Sequence, residues 1–175
     1  MAYSSYHKAI CTELENLALN DKVIFMGQQT ASEDMYRSLV NIPINRRIEM
    51  PLAEELQIGI SIGLAMQGFF PVSIIQRMDF LLRAADQIVN HLNLIEELSR
   101  GIFSPKILIR TTIGSTSPLN CGKQHSQDFT EGFRKLVSFP IFKVETVEQV
   151  KLAYQFARES KTSVMIIEDQ NLYYV

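Results

Sequence analysis

Apolar residues along this chain alternate between two rhythms. Six short β-rich runs recur at 23–26, 47–50, 72–76, 107–112, 141–144 and 164–168. Several are continuously apolar, such as Val-Ile-Phe-Met and Val-Met-Ile-Ile, a pattern that suits strands buried on both faces of a parallel sheet. Between them lie segments with helical spacing. The first covers 6–19, with Ile10, Leu14 and Leu17 on one face and Ser4 or Ser5 as its cap. A short one falls near 33–39, a third over 52–66 and a fifth near 129–136. The fourth is long, 80–99, and carries Leu81, Ala84, Ala85, Ile88, Leu92 and Ile95 as one stripe. The sixth starts at Thr146, where Thr146-Val-Glu-Gln149 reads as a capping box. Strand and helix alternate throughout. The expected fold is therefore α/β: a doubly wound, mostly parallel six-stranded sheet with helices on both faces, formed by residues 1–175 as one domain.

Composition narrows the function classes. At 175 residues and 46% apolar content the chain is long enough for a real core. The net charge is −2, so no basic excess points to nucleic acid or to an anionic membrane. No run approaches the roughly 18 apolar residues of a spanning helix, and the first residues lack the charged and apolar regions of a signal peptide. Cys11 and Cys121 are isolated, with no metal-ligand spacing. A reduced, cytoplasmic protein without a metal centre of its own is the expectation. Phosphate-binding loops of the G-x-x-x-x-G-K-[ST] or G-x-G-x-x-G type are absent.

Candidate chemistry concentrates in a few places. A strand at 47–50 runs into Pro51, and Glu54 and Glu55 open the following helix. The two acids point about 100° apart, so one can face a site while the other faces water. Taken alone, Glu54 reads as a carboxylate placed where a helix dipole favours it. Gly59 and Gly63, four apart on that helix, read as a close-packing face. Phe80 follows the third strand and by itself reads as core. Asp86-Gln-Ile-Val-Asn90 interrupts the apolar stripe with polar residues, as a solvated face would. The irregular segment 113–124 follows a buried strand, where α/β folds place ligands. It ends in Lys123-Gln-His-Ser-Gln127. His125 there is either a loop residue or an acid–base group, since imidazole titrates near neutrality.

Together, Pro51-Leu-Ala-Glu54, Phe80, Asp86-Gln-x-x-Asn90 and Gln124-His-Ser-Gln127 resemble the pyrimidine-binding domain of thiamine-diphosphate enzymes, specifically the β subunit of 2-oxo-acid dehydrogenase E1 components. The resemblance covers nearly the whole chain. It implies that Glu54 switches the cofactor on by sharing a proton with its aminopyrimidine ring. It implies that Phe80 stacks on that ring, with Gln28 in the polar wall beside it, and that His125 faces the substrate. Gly59, Gly63, Asp86 and Asn90 are implied at a subunit interface. Arg77 and Gln124 are expected substrate contacts. The sequence departs from the family in three ways. Gln28-Gln29 replace a common acidic pair, the family's further C-terminal domain is expected to be absent, and no Gly-Asp-Gly signature is present to hold the cofactor's diphosphate. A second, α-type chain is therefore expected to hold the diphosphate and Mg²⁺, giving an α2β2 assembly. The implied reaction is C–C cleavage or transfer on a 2-oxo acid or ketose. A transketolase or carboligase activity in a specialised biosynthetic pathway and a non-catalytic scaffold are the alternatives.

Overall fold

The computed structural model describes residues 2–32, 36–117 and 120–175. Among these residues six strands form one sheet: β1 Val23–Gly27, β2 Arg47–Glu49, β3 Phe70–Ile75, β4 Leu108–Ile113, β5 Ile141–Val144 and β6 Val164–Asp169. Their order is β2-β1-β3-β4-β6-β5, and every pair is parallel. The helices are α1 Ser5–Ala18, α2 Glu54–Met66, α3 Met78–Leu81, α4 Ile95–Leu98, α5 Thr130–Leu136 and α6 Val147–Glu159. The expected strands all form, each within two residues of its predicted ends. Thr146 closes the predicted capping box, and Ser4 is the cap of α1.

Strand parity divides the core into two layers. Val72, Ile74, Leu108, Val164 and Ile166 face α1 and α6, meeting Ile10, Leu14, Val150 and Ala153. Ile75, Ile109, Met165 and Ile167 face the other layer, meeting Ile58 of α2, Met78 and Leu81 of α3 and Phe133 of α5. Both faces of the central strands are thus covered, which explains their unbroken apolar runs.

Two helical predictions change. The expected helix at 80–99 is not continuous. It passes from α3 through a 3₁₀ turn, Leu82–Ala84, to a π-helical stretch, Gln87–Leu92, and then α4. The apolar stripe still identifies the inner face, because Leu81, Ala84, Ile88 and Leu92 are buried. The π-helical stretch begins just after Asp86 and carries the rest of the polar interruption, Gln87 to Asn90. The short helix expected near 33–39 falls partly outside the described residues, and 36–42 form turns without a helix.

A buried ionic network lies between the sheet and the α1–α6 layer. Arg110 on β4 and Glu168 on β6 are 1% and 0% exposed. Their guanidinium and carboxylate pair in a fork, Nε to Oε1 at 2.8 Å and Nη2 to Oε2 at 2.9 Å. Arg110 Nη1 also donates to Ser38 Oγ at 2.9 Å. Tyr154 donates to Glu168 Oε1 at 2.6 Å, and Tyr173 donates to Oε2. Burial pushes the Glu168 carboxyl up, but the Arg110 charge and these hydrogen bonds outweigh it and hold it below the ordinary carboxylate range.

Candidate functional site

The chain reverses its direction of sheet growth at β1, whose neighbours are β2 and β3. Crevices at such switch points, outside the carboxyl ends of parallel strands, hold ligands in open α/β folds. Gln28 leaves β1 there, the loop to Glu54 leaves β2, Arg77 and Phe80 follow β3, and the segment ending in His125 follows β4.

The strands meet closely at this point. A Cβ on Gly27 would lie 2.3 Å from the Ile74 carbonyl oxygen, so only glycine fits there. Gln57, one turn into α2, clamps the same place from above. Its Nε2 donates to Ser73 Oγ at 2.9 Å, to the Ile74 carbonyl at 3.0 Å and to the Met26 carbonyl at 3.2 Å. This buried amide fixes the start of α2 over β1 and β3 and so aims Glu54 at the switch point. The sequence reading missed it, since a single Gln on an amphipathic helix carries no signal of burial.

Glu54 is the first residue of α2 and its side chain is 2% exposed. Gln28 Nε2 donates to Oε1 at 3.3 Å. Oε2 is buried and accepts no hydrogen bond among the described residues, although Arg83 Nε lies 3.2 Å away. Glu54, Glu55, Gly59, Ile60, Arg83 and Gln87 line a cavity of about 550 Å³ between α2 and the segment after α3. Gln28 is held by its own loop. Glu49 accepts from the backbone N–H groups of Gln29 at 2.5 Å, Ala31 at 2.8 Å and Ser32 at 3.2 Å. Partial burial raises the Glu49 carboxyl, but these N–H groups more than offset it and its pKa is lowered.

A second group forms around Phe80 and His125. Their rings meet edge to face, with centroids 5.4 Å apart and planes at 89°, an arrangement aromatic rings favour. Two side chains behind Phe80 fix the His125 segment. Asp79 Oδ1 accepts from Gln127 Nε2 at 3.0 Å. Arg77 Nη1 donates to the Gly114 carbonyl, to the His125 carbonyl at 3.2 Å and to Gln170 Oε1 at 3.4 Å, while Nη2 reaches Cys121 Sγ at 3.2 Å. Arg77 thus ties both ends of the irregular segment together. Gln124 is exposed beside His125. The turn Leu82–Ala84 connects the two groups, because Arg83 lies three residues beyond Phe80 and reaches Glu54.

The Arg77 contacts carry a direct expectation. Arg77→Met should lower stability by about 1–3 kcal/mol, the worth of hydrogen bonds from a charged donor. It should also raise the rate of limited proteolysis between 114 and 125 by roughly tenfold or more. An unchanged cleavage pattern would show that the segment holds its shape without the guanidinium.

The predicted interface residues sit apart from the core. Asp86 and Asn90 are exposed and joined by a 2.7 Å hydrogen bond from Asn90 Nδ2 to Asp86 Oδ1. The close-packing reading of Gly59 and Gly63 does not hold within the chain. A Cβ on Gly63 would meet nothing within 4 Å, and one on Gly59 would make ordinary contact with Gln87 at 3.7 Å. Both lie instead on an outward face with Leu52, Leu56, Ile60 and Met66, which are 72%, 50%, 39% and 38% exposed.

Comparison with known proteins agrees with this fold. The family described as transketolase, pyrimidine binding domain matches residues 4–175. The chain belongs to this family. It is 29% identical over 164 residues to the pyruvate dehydrogenase E1 component subunit beta of Mesostigma viride, covering 91% of this chain and 50% of that protein. It is 33% identical over 122 residues to the 3-methyl-2-oxobutanoate dehydrogenase subunit beta of Mycobacterium tuberculosis, covering 67% of this chain and 34% of that one. A solved structure described as split gene transketolase, inactive beta4 tetramer, superposes with a TM-score of 0.68 at 19% identity, covering 97% of this chain and 50% of that chain. That likeness concerns the fold. The chain spans about half the length of the first of these curated relatives.

Proposed function

We propose that this chain is the β-type, pyrimidine-binding part of a thiamine-diphosphate enzyme whose site is completed by an α-type chain. The observation that carries the reading is the Glu54 carboxylate, buried at the switch point with Oε2 lacking a hydrogen bond. A buried, unsatisfied oxygen is costly unless a ligand takes it. A protonated aminopyrimidine ring nitrogen, which donates its N–H, is such a ligand, and the residues present fit it: a carboxylate to accept from the nitrogen, Gln28 as polar wall and Phe80 as an aromatic platform. Thiamine diphosphate, when bound, supplies the carbon that attacks a carbonyl and holds charge after a neighbouring C–C bond breaks. The protein's own steps are simpler. Glu54 exchanges a proton with the ring nitrogen. Phe80 excludes water from one ring face. His125 gives or takes a proton on the substrate side, with Arg77 and Asp79 holding its segment. Gln124, exposed beside it, is offered as a substrate contact, with Arg77 as a second through whatever donor capacity its segment leaves free.

The apolar face of α2 supports an assembly. Five apolar side chains on and beside α2, those named above and Leu82 at 50% exposure, surround Gly59 and Gly63 near the Glu54 cavity, a patch of the kind that proteins cover with a partner. We assign it, with Asp86 and Asn90, to the subunit interface of an α2β2 hetero-oligomer whose α-type chain holds Mg²⁺ and the diphosphate. The E1 β relatives favour a 2-oxo acid as substrate, with ketose transfer as the second reading. Cys11 and Cys121 are not joined in a disulfide among the described residues, which fits a cytoplasmic setting.

The test is calorimetric titration of thiamine diphosphate with Mg²⁺ into this chain, into a candidate α-type chain and into the two combined. Tight binding by the combination alone, weakened by Phe80→Ala, is expected. A properly associated pair that binds no cofactor would leave the scaffold reading in its place.

A further inference from the structure

The two oxygens of Glu54 are treated differently. Oε1 is held by the neutral amide of Gln28. Oε2 faces a charge, Arg83 Nε at 3.2 Å, but the N–H is not aimed at it and no hydrogen bond forms. The partners also differ in exposure, since the Glu54 side chain is 2% exposed and that of Arg83 is 69% exposed. Arg83 stands on a 3₁₀ turn at the rim of the cavity that Glu54 lines. Attraction through space offsets part of the cost of burying the carboxylate. A guanidinium with its head in water gives up such a contact easily, because exposed ion pairs are weak.

We propose that Arg83 is a displaceable counter-ion of Glu54. It shields Oε2 while the site lacks cofactor and yields that oxygen to the aminopyrimidine nitrogen when the ring docks. The inference rests on the functional reading above. Arg83 is a positioning residue, because it acts on the site through Glu54. It keeps the carboxylate aimed into the cavity, and it makes cofactor binding compete with an ion pair. Glu55 and Gln87 are the other polar residues on the cavity wall, and neither is paired with Glu54 in the structure.

The consequence runs opposite to that of an ordinary binding residue: removing the side chain should favour the cofactor. In the complex of this chain with its diphosphate-binding partner, calorimetry at saturating Mg²⁺ should show Arg83→Met binding thiamine diphosphate roughly threefold more tightly than the unaltered chain. Arg83→Lys, which keeps a charge at the rim, should remain close to the unaltered affinity. Arg83→Met should have no effect in the Glu54→Gln background. In the isolated chain, Arg83→Met should lower the melting temperature by about 1–4 °C when Glu54 is present and by less when Glu54→Gln accompanies it. Equal or weaker affinity of Arg83→Met, in a complex that does bind the cofactor, overturns the displacement. So does a melting shift independent of Glu54. An unaltered complex that binds no cofactor instead overturns the functional reading itself, and the proposal with it.

Discussion

Arg110→Met is expected to destabilise the fold by about 3–5 kcal/mol, because it leaves Glu168 charged and unpaired where water cannot reach it. For a chain of this size that is a fall of roughly 6–20 °C in melting temperature, readable by calorimetry. Arg110→Met combined with Glu168→Gln should recover much of the stability, since it removes both buried charges and leaves an amide oxygen to accept from Tyr154 or Tyr173. Failure of the double variant to recover would mean that the tyrosine hydroxyls, not the charges, dominate. The pH dependence follows from the direction of the Glu168 shift. Its pKa is lowered on folding from an ordinary 4.5, so its contribution is present in full above that value and is lost as pH falls through the folded-state value. Glu49, also lowered from 4.5, adds with the same sign. Urea midpoints should therefore fall below about pH 4.5, and the fall should be smaller in the double variant.

That network also shows where the sequence stops being legible. Arg110 and Glu168 sit in segments that read as buried strands, and neither residue alone announces a partner. Pairing depends on β4 and β6 being neighbours, with Thr112 opposite Glu168 and Arg110 opposite Ile166. Arg110 and Glu168 then share a face, two positions out of register. Strand order is not written in local periodicity, so the network becomes visible only in the fold. The strands themselves were legible because unbroken apolar runs have few other uses in a chain of this composition. The stripe at 80–99 gave the inward residues correctly, yet it could not distinguish α, 3₁₀ and π hydrogen bonding, which place side chains on nearly the same face over one or two turns. The site divides similarly. Glu54, Phe80 and His125 stood out through motif order, and the structure brings Phe80 and His125 into contact. Gln57, Asp79 and Arg83 act through neighbours distant in sequence and carried no signal. Gly63 appeared to demand close packing, but within the chain it faces outward. Its requirement for a small residue, if a partner imposes one, belongs to a surface that one chain's sequence does not contain.

Glu54→Gln separates the catalytic reading from the structural one, because the two predict opposite balances of activity and stability. In the assembled complex the variant should still bind thiamine diphosphate, since Phe80 and the partner's diphosphate contacts remain. Exchange of the cofactor's C2 proton, followed by NMR after quenching, should fall by about 10²–10⁴, the range lost when a positioned proton-transfer group is removed. The isolated chain should be no less stable. The amide carries no charge into the buried position, and its oxygen can still accept from Gln28 Nε2, so the cost of a buried carboxylate with one unbonded oxygen is relieved. Only the attraction to Arg83 is given up, and that guanidinium is mostly in water. A functional group held against the interest of the fold behaves in this way. If Glu54 were instead an anchor for the start of α2, the same substitution would lower the melting temperature, and the loss of exchange would follow the loss of folded protein. Gln57 makes that outcome unfavourable, since it already secures α2 to β1 and β3 through three acceptors, leaving the carboxylate one turn earlier available for chemistry.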